Sequence, residues 1–328
     1  MCWHVTNELY CLLFVVSIVR INAVSGVYLL CLLALPLIPS PTTVLHLQGS
    51  PGRYMKTVVI LSALGCVTQI LYQVVLAALD VYNETIESCN GTDTIWRQLG
   101  YQRLDDLNGI NVARLVVPDV ILLVVSVMVF LSCKYILTPP QTTQSASAEH
   151  GEPLSPVMER RPRRTSVVVE GLRSCNIMIF CALSGIILPS AISAVYFVSF
   201  LVVVTWWSFY QSWGRVFKSI ELLWLIYSGA HVIILYIVQF QFFQELVPYD
   251  SDEGLNVPAL VGLTPIIDSL RCDQGDDPRK IAIADTAGWT TLVNPWIVFL
   301  FYWFLGHEVQ RWFAGPPFQV CAMSRTLA

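Results

Sequence analysis

The chain has 328 residues, of which 55% are hydrophobic and only 13% charged, with a mean hydropathy of +0.61 and a formal net charge of −4. A soluble domain of this length carries about 25% charged residues, whereas the few charges here fall between long apolar runs. The composition excludes an ordinary soluble globular protein and indicates a polytopic membrane protein, with no nucleic-acid partner expected.

In chain order, apolar runs of about 20 residues predict eight membrane-spanning helices. They lie near 4–20, 25–41, 55–79, 115–137, 174–189, 190–210, 219–243 and 287–306. The first is the weakest, with an apolar heart only over Leu9–Val19. That length also suits a signal peptide, and Ala23-Val24-Ser25 offers a cleavage site. The start carries no Lys or Arg and Glu8 sits close to the run, so a retained span is expected. Residue 25 lies outside on either reading. The fifth and sixth runs meet at Pro189-Ser190.

The two halves repeat. Ser25, Val27 and Tyr28 in the second run are echoed by Ser193, Val195 and Tyr196 in the sixth. "GRYMK" at 52–56 is answered by "GRVFK" at 214–218, "ILY" at 70–72 by "ILY" at 234–236, and "LVVPD" at 115–119 by "LVNPW" at 292–296. Four landmarks in one order predict two tandem four-helix units. An even number of spans per unit makes the repeat parallel rather than inverted. The expected fold is all-α. Residues 1–137 form the first unit, 138–172 a linker, 173–310 the second unit and 311–328 a short cytosolic tail.

Basic residues near span ends set the orientation. With the amino terminus cytosolic, twelve fall inside: Arg53, Lys56, Lys134, Arg160, Arg161, Arg163, Arg164, Arg173, Arg215, Lys218, Arg311 and Arg325. Seven fall outside: Arg20, Arg97, Arg103, Arg114, Arg271, Arg279 and Lys280. The outer loops are also the acidic ones, above all 244–286. The sequons Asn83-Glu84-Thr85 and Asn90-Gly91-Thr92 both fall in the outer loop between the third and fourth spans, where glycan transfer takes place. Cys89 and Cys272 lie in corresponding outer loops, in an oxidising compartment. They are candidates for a bridge between the units, with two unpaired thiols as the alternative. Cys133 beside Lys134 reads as an ordinary interfacial cysteine, with acylation as the alternative.

The linker stretch "TPPQTTQSASAEHGEPLSP" is rich in Pro, Ser, Thr and Gln, and is expected to be disordered. Arg160, Arg161, Arg163 and Arg164 follow it. They enforce the positive-inside topology and suit anionic headgroups of the inner leaflet, as do the anchors Arg53, Lys56, Arg215 and Lys218. Arg163-Arg164-Thr165-Ser166 also resembles a basophilic kinase site.

Chemistry-bearing motifs are absent. Five histidines are scattered, and there is no CxxC, GxGxxG or Walker loop, so neither an enzyme nor a cofactor is expected. Pro118-Asp119 reads as a helix start at the outer interface, with proline in the first turn followed by an acid. A buried ion site is the alternative. Pro295 differs. From Pro295 to Leu305 a helix covers about 16 Å against roughly 30 Å of hydrocarbon, so this span is expected to begin upstream and to kink at Pro295. Glu221 near Lys218 reads as interfacial. The deeper His231 reads as a bond to a neighbouring helix. Trp206, Trp207 and Trp213 read as an aromatic anchor at the inner surface.

"SGVYLLCLLALPLIPSPT", then "LQGSPGR", then "RLVVPDVILLVVSV", resemble the amino-terminal region of the Piezo mechanosensitive cation channels, and "PSAISAVYFVSFLVVVTWW" resembles the opening of that family's second four-helix unit. The resemblance covers roughly 20–310. The chain departs from it at Ser50-Pro51-Gly52-Arg53, where the family more often has His-Thr-Gly-Arg, and in the tail "FAGPPFQVCAMSRTLA". The resemblance implies the distal part of a curved blade that senses tension in the plasma membrane. The partners it implies are the remaining blade and the pore of a longer homotrimeric channel. The chain would lack that pore and would not conduct alone. The rival readings are a small eight-span transporter built from two four-helix repeats and a non-conducting membrane scaffold.

Overall fold

The computed structural model describes residues 2–38, 49–79, 91–104, 109–137, 165–209, 214–246, 257–268, 282–284 and 287–314. Helices dominate them: α1 Cys2–Val19, α2 Ala23–Ala34 continued by a 3-10 turn at Leu35–Leu37, α3 Ser50–Ala78, α4 Gly91–Leu99, α5 Gly109–Leu137, α6 Thr165–Ile186, α7 Ala191–Phe209, α8 Gly214–Ile237, α9 Gln241–Leu246, α10 Val257–Val261 and α11 Trp289–Ala314. Between α10 and α11, the two-residue strands β1 Ile267–Asp268 and β2 Ala282–Ile283 pair antiparallel, Ile267 opposite Ile283.

Among the described residues, five helices are long and apolar enough to cross a membrane: α3, α5 over Val112–Tyr135, α7, α8 over Val216–Ile237 and α11 over Trp289–Trp312. Three shorter apolar helices lie at Glu8–Val19, Ala23–Leu37 and Gly171–Ile186. Apart from that short strand pair, the regular structure of the described residues is helical, and the chain is a multi-pass membrane protein.

Helix boundaries follow local chemistry. Asn22 caps α2, its Oδ1 accepting from Ser25 N at 2.8 Å. α3 starts at Ser50 with Pro51 in its first turn, where a missing N–H costs nothing. The Gly-Arg-x-x-Lys segments therefore form the first turns of α3 and α8 instead of preceding them. α4 stops at Gly100, whose φ of 116° lets Tyr101 N reach back to Trp96 O at 2.9 Å. α8 ends at Ile237, short of the expected 243, because the chain turns at 238–240 into α9.

The packing order is the same in both halves. α1 packs on α2 and on α5, and α3 packs on α5. α6 packs on α7 and on α11, and α8 packs on α11. One apolar core runs through both sets, from Leu9, Leu13 and Val16 of α1 through Tyr28 and Leu122 to Tyr196, Phe301 and Leu305. In lipid, apolar burial between helices gains little over contact with acyl chains, so close packing and hydrogen bonds carry the association. Ile60, Leu64, Val67, Leu71 and Val74 of α3, and Val195, Val198, Leu201 and Val202 of α7, remain exposed and form apolar walls.

The structure corrects two readings. α5 begins at Gly109, so Pro118 and Asp119 lie inside the helix, not at its start. Cys133 is fully buried beside Met55 and Val129, where an acyl chain has no access. Glu221 is 2% exposed, so protein and not open solvent covers its carboxyl group. Pro295 lies inside α11, which begins upstream at Trp289.

Candidate functional site

Among the described residues, each set holds a cluster of buried polar groups that links its helices. In the first, Pro118 lacks the N–H that would bond the Arg114 carbonyl, and its ring crowds that turn of α5. Arg20, in the short turn between α1 and α2, reaches this weakened stretch. Its Nη1 donates to Leu115 O, and its Nη2 donates to Asp119 Oδ1 and Oδ2 at 2.8 and 2.9 Å. Tyr28 Oη of α2 donates to Asp119 Oδ1 at 3.0 Å. α3 closes the site with Gly65: a Cβ there would lie 2.8 Å from Tyr28 Oη, so only glycine permits this approach. The α1–α2 turn and the helices α2, α3 and α5 converge on one ion pair, with Arg20 6% and Asp119 4% exposed.

A lone charge inside a bilayer is costly, and these two offset one another. The charge count places Arg20 and Arg103 among the outer loop residues, yet both are buried. The turn holding Arg20 is tied to the second set by Tyr236 of α8, whose Oη donates to Arg20 O at 3.3 Å and Asn22 O at 3.2 Å.

In the second set, Tyr196 of α7 takes the position of Tyr28. Its Oη pairs with His231 Nδ1 of α8 at 3.1 Å. The neighbouring Tyr227 Oη donates to Ile192 O at 3.0 Å, and Trp224 Nε1 to Ser199 Oγ at 3.0 Å. The repeated Ser-x-Val-Tyr positions match in burial. Ser25 and Ser193 are fully buried, as are Tyr28 and Tyr196, while Val27 and Val195 are 41% and 48% exposed. The corresponding tyrosines thus bond different helices, Tyr28 an aspartate on the fourth helix of its set and Tyr196 a histidine on the third.

The two sets are joined through α1, α2 and α11. Tyr10 packs edge-on against Trp303 at 4.4 Å, and Phe14 lies 4.8 Å from Trp296 and 5.2 Å from Phe299, ring centre to ring centre. Tyr302 Oη donates to Leu33 O, and Gly306 lets Pro36 approach closely.

Of the other residues marked by the sequence, Arg53 and Lys56 lie exposed in the first turns of α3. Arg215 belongs to the first turn of α8, and Lys218 places its Nζ 5.5 Å from the centre of the Trp312 ring. Asn83, Asn90, Cys89, Cys272, Arg160, Arg161, Arg163 and Arg164 lie outside the described residues. Among the described residues, no three His, Cys, Asp or Glu side chains are grouped as a metal site would need. Sequence reading misses Arg20 and Tyr28 as partners of Asp119, the close approach of Gly65, and the hold of Tyr236 on the turn that carries Arg20. The one signal for them is an arginine held in a turn too short to lift it away from two apolar helices.

Compared with known proteins, residues 20–322 match the family described as Piezo TM1-24. The rat Piezo-type mechanosensitive ion channel component 1 is 28% identical over 316 residues, which is 89% of this chain and 12% of the rat protein. The human protein of the same name is 28% identical over 314 residues, 88% of this chain and 12% of its own length. The Drosophila melanogaster Piezo-type mechanosensitive ion channel component is 21% identical over 331 residues, 89% of this chain and again 12% of the relative. The chain therefore spans about an eighth of the length of these relatives. With its helices matched from the second of them to beyond the last, the chain belongs to the Piezo TM1-24 family.

Proposed function

We propose that this chain is an amino-terminal, distal blade part of a mechanosensitive cation channel, and that it senses membrane tension without holding the pore. The carrying observation is that a segment matching 12% of Piezo-type channel components repeats one packing order twice, helix one on two, one on four and three on four. Eight spans in two tandem parallel units, over 1–137 and 173–310 with the linker 138–172 between, make a stack that can tilt in the bilayer. Its in-plane area then changes with tension. An ion path needs polar groups or carbonyls facing water across the full membrane depth. Arg20 with Asp119, and Tyr196 with His231, are instead bonded to each other between helices. The remaining blade, the pore and two further copies complete the channel, in the plasma membrane.

In this reading, Arg53, Lys56, Arg215 and Lys218 hold both units at one inner depth, with the Arg160–Arg164 cluster against anionic lipid. The 138–172 linker is cytosolic, so a tag inserted near Ser147 should stay protected from external protease in intact cells. Digestion would reverse the orientation. On the opposite face, Asn83 or Asn90 carries glycan, and Cys89 and Cys272 are the candidates for a bridge between the units, with two unpaired thiols as the alternative. Endoglycosidase should shift the expressed chain on a gel, and Asn83→Gln with Asn90→Gln should abolish the shift. An unshifted parent chain would count against both sites.

The test of the reading is a patch recording under pressure steps, in cells lacking mechanically gated current, with surface labelling to show that the chain arrives. Residues 1–328 alone are expected to give no pressure-dependent current. A robust cation current would make the chain a self-contained channel and overturn the blade assignment.

A further inference from the structure

The short helices α4 and α9 hold corresponding places, each following the third long helix of its set. They are tied together, Arg97 Nη2 of α4 donating to Gln241 Oε1 of α9 at 2.5 Å. α4 is amphipathic. Ile95, Trp96 and Leu99 share one side and remain exposed, Ile95 at 60%. Trp96 lies 5.6 Å from Tyr72 of α3 and 6.1 Å from Tyr101, ring centre to ring centre, which holds α4 against the end of α3. α9 in turn exposes Phe242 and Leu246, one turn apart, at 66% and 68%.

We propose that α4 and α9 form one interfacial pad, seated in the headgroup–acyl boundary of the phospholipid leaflet around the end of α3. The occupant follows from continuity. The exposed apolar wall of α3 runs through Leu71, Val74 and Val75 to Leu79 at the same end, and the Tyr72–Trp96 contact carries it onto α4. Five large apolar side chains in water would be a liability on a soluble surface. Beside a lipid-facing wall, a tryptophan and an arginine among them are what an interfacial helix carries. Arg97 makes the two helices one pad, so lipid pressure at that depth acts on both units together. The proposal rests on the membrane placement of α3 and does not require the blade reading.

The test places an amber-encoded fluorescent amino acid at position 95, and separately at position 242, in the full chain held in phosphatidylcholine nanodiscs. Both faces of the disc are open to solvent. Quenching is compared for a lipid with a nitroxide near the headgroup, a lipid with a nitroxide near the acyl end, and aqueous iodide. At both positions the shallow nitroxide is expected to quench at least about twofold more than either alternative, as a depth of a few ångströms below the headgroups requires. Position 64, mid-way along the exposed wall of α3, should respond most to the deep nitroxide. Iodide quenching alone at 95 and 242 would place the pad in water, and silence to all three quenchers would place it under protein. Either result overturns the proposal. Loss of lipid quenching at position 64 as well would remove α3 from the membrane, and the proposal with it.

Discussion

Asp119→Ala is expected to cost about 3–5 kcal/mol of stability, because it leaves the Arg20 guanidinium buried without a counter-charge. The same change removes the acceptor of Tyr28 Oη. Arg20 cannot reach water without drawing the α1–α2 turn away from Tyr236, which binds that turn through Arg20 O and Asn22 O. Damage should therefore spread from the first helix set to the contact with the second. Thermal unfolding of the purified chain in lipid nanodiscs would read the effect. The double change Arg20→Met with Asp119→Leu is expected to recover most of the loss, since a well-packed apolar pair removes both desolvation penalties. A loss under about 1 kcal/mol for Asp119→Ala would mean that the pair behaves like a solvated surface ion pair.

The second large effect is a contrast of sign along one helix. Gly185 and Gly171 both lie in α6. In an open helix interior, glycine to alanine gains about 1 kcal/mol from backbone entropy. A Cβ at position 171 meets nothing within 4 Å, so Gly171→Ala should show that gain. At position 185 it would lie 2.8 Å from Phe197 N and Cβ and 2.9 Å from Phe197 Cα. Those atoms belong to the backbone and first carbon of α7, which no rotamer change can move. Overpacking costs about 1–3 kcal/mol, and here it outweighs the entropy gain. Gly185→Ala should therefore destabilise, and Gly185→Val should do so by more, with α6 and α7 forced apart. Melting curves of the three variants beside the parent decide it. Equal stabilisation by Gly171→Ala and Gly185→Ala would show that α6 and α7 do not meet this closely.

The long helices were legible because bilayer thickness imposes a run length that apolar composition displays directly. Their ends were less so. Gly52-Arg53 and Gly214-Arg215 look like loop, yet arginine and lysine continue a helix readily past the hydrocarbon edge, and α3 and α8 do so. The polar network was hidden for a different reason. Arg20 and Asp119 are 99 residues apart in sequence, so no local spacing joins them. Proline followed by an acid is also the ordinary signature of a helix start, and here that signature misled. α5 had already begun at Gly109, through residues too mixed in character to announce it. His231 was easier. A histidine deep in an apolar run must find a partner on a neighbouring helix, and it finds Tyr196. The expected repeat rests on four sequence landmarks, and the same three kinds of helix pair occur in both halves.

The role proposed for these units is a contribution to gating from outside the pore. The decisive measurement is pressure-clamp recording from a Piezo-type channel in which residues 1–328 replace the matching segment, with and without Asp119→Ala and at matched surface density. If the segment senses tension remotely from the pore, the pressure for half-activation should rise while single-channel conductance and ion selectivity stay unchanged. An unchanged pressure response in a channel whose first unit has demonstrably loosened would contradict tension sensing here. A changed conductance would place the segment in the ion path.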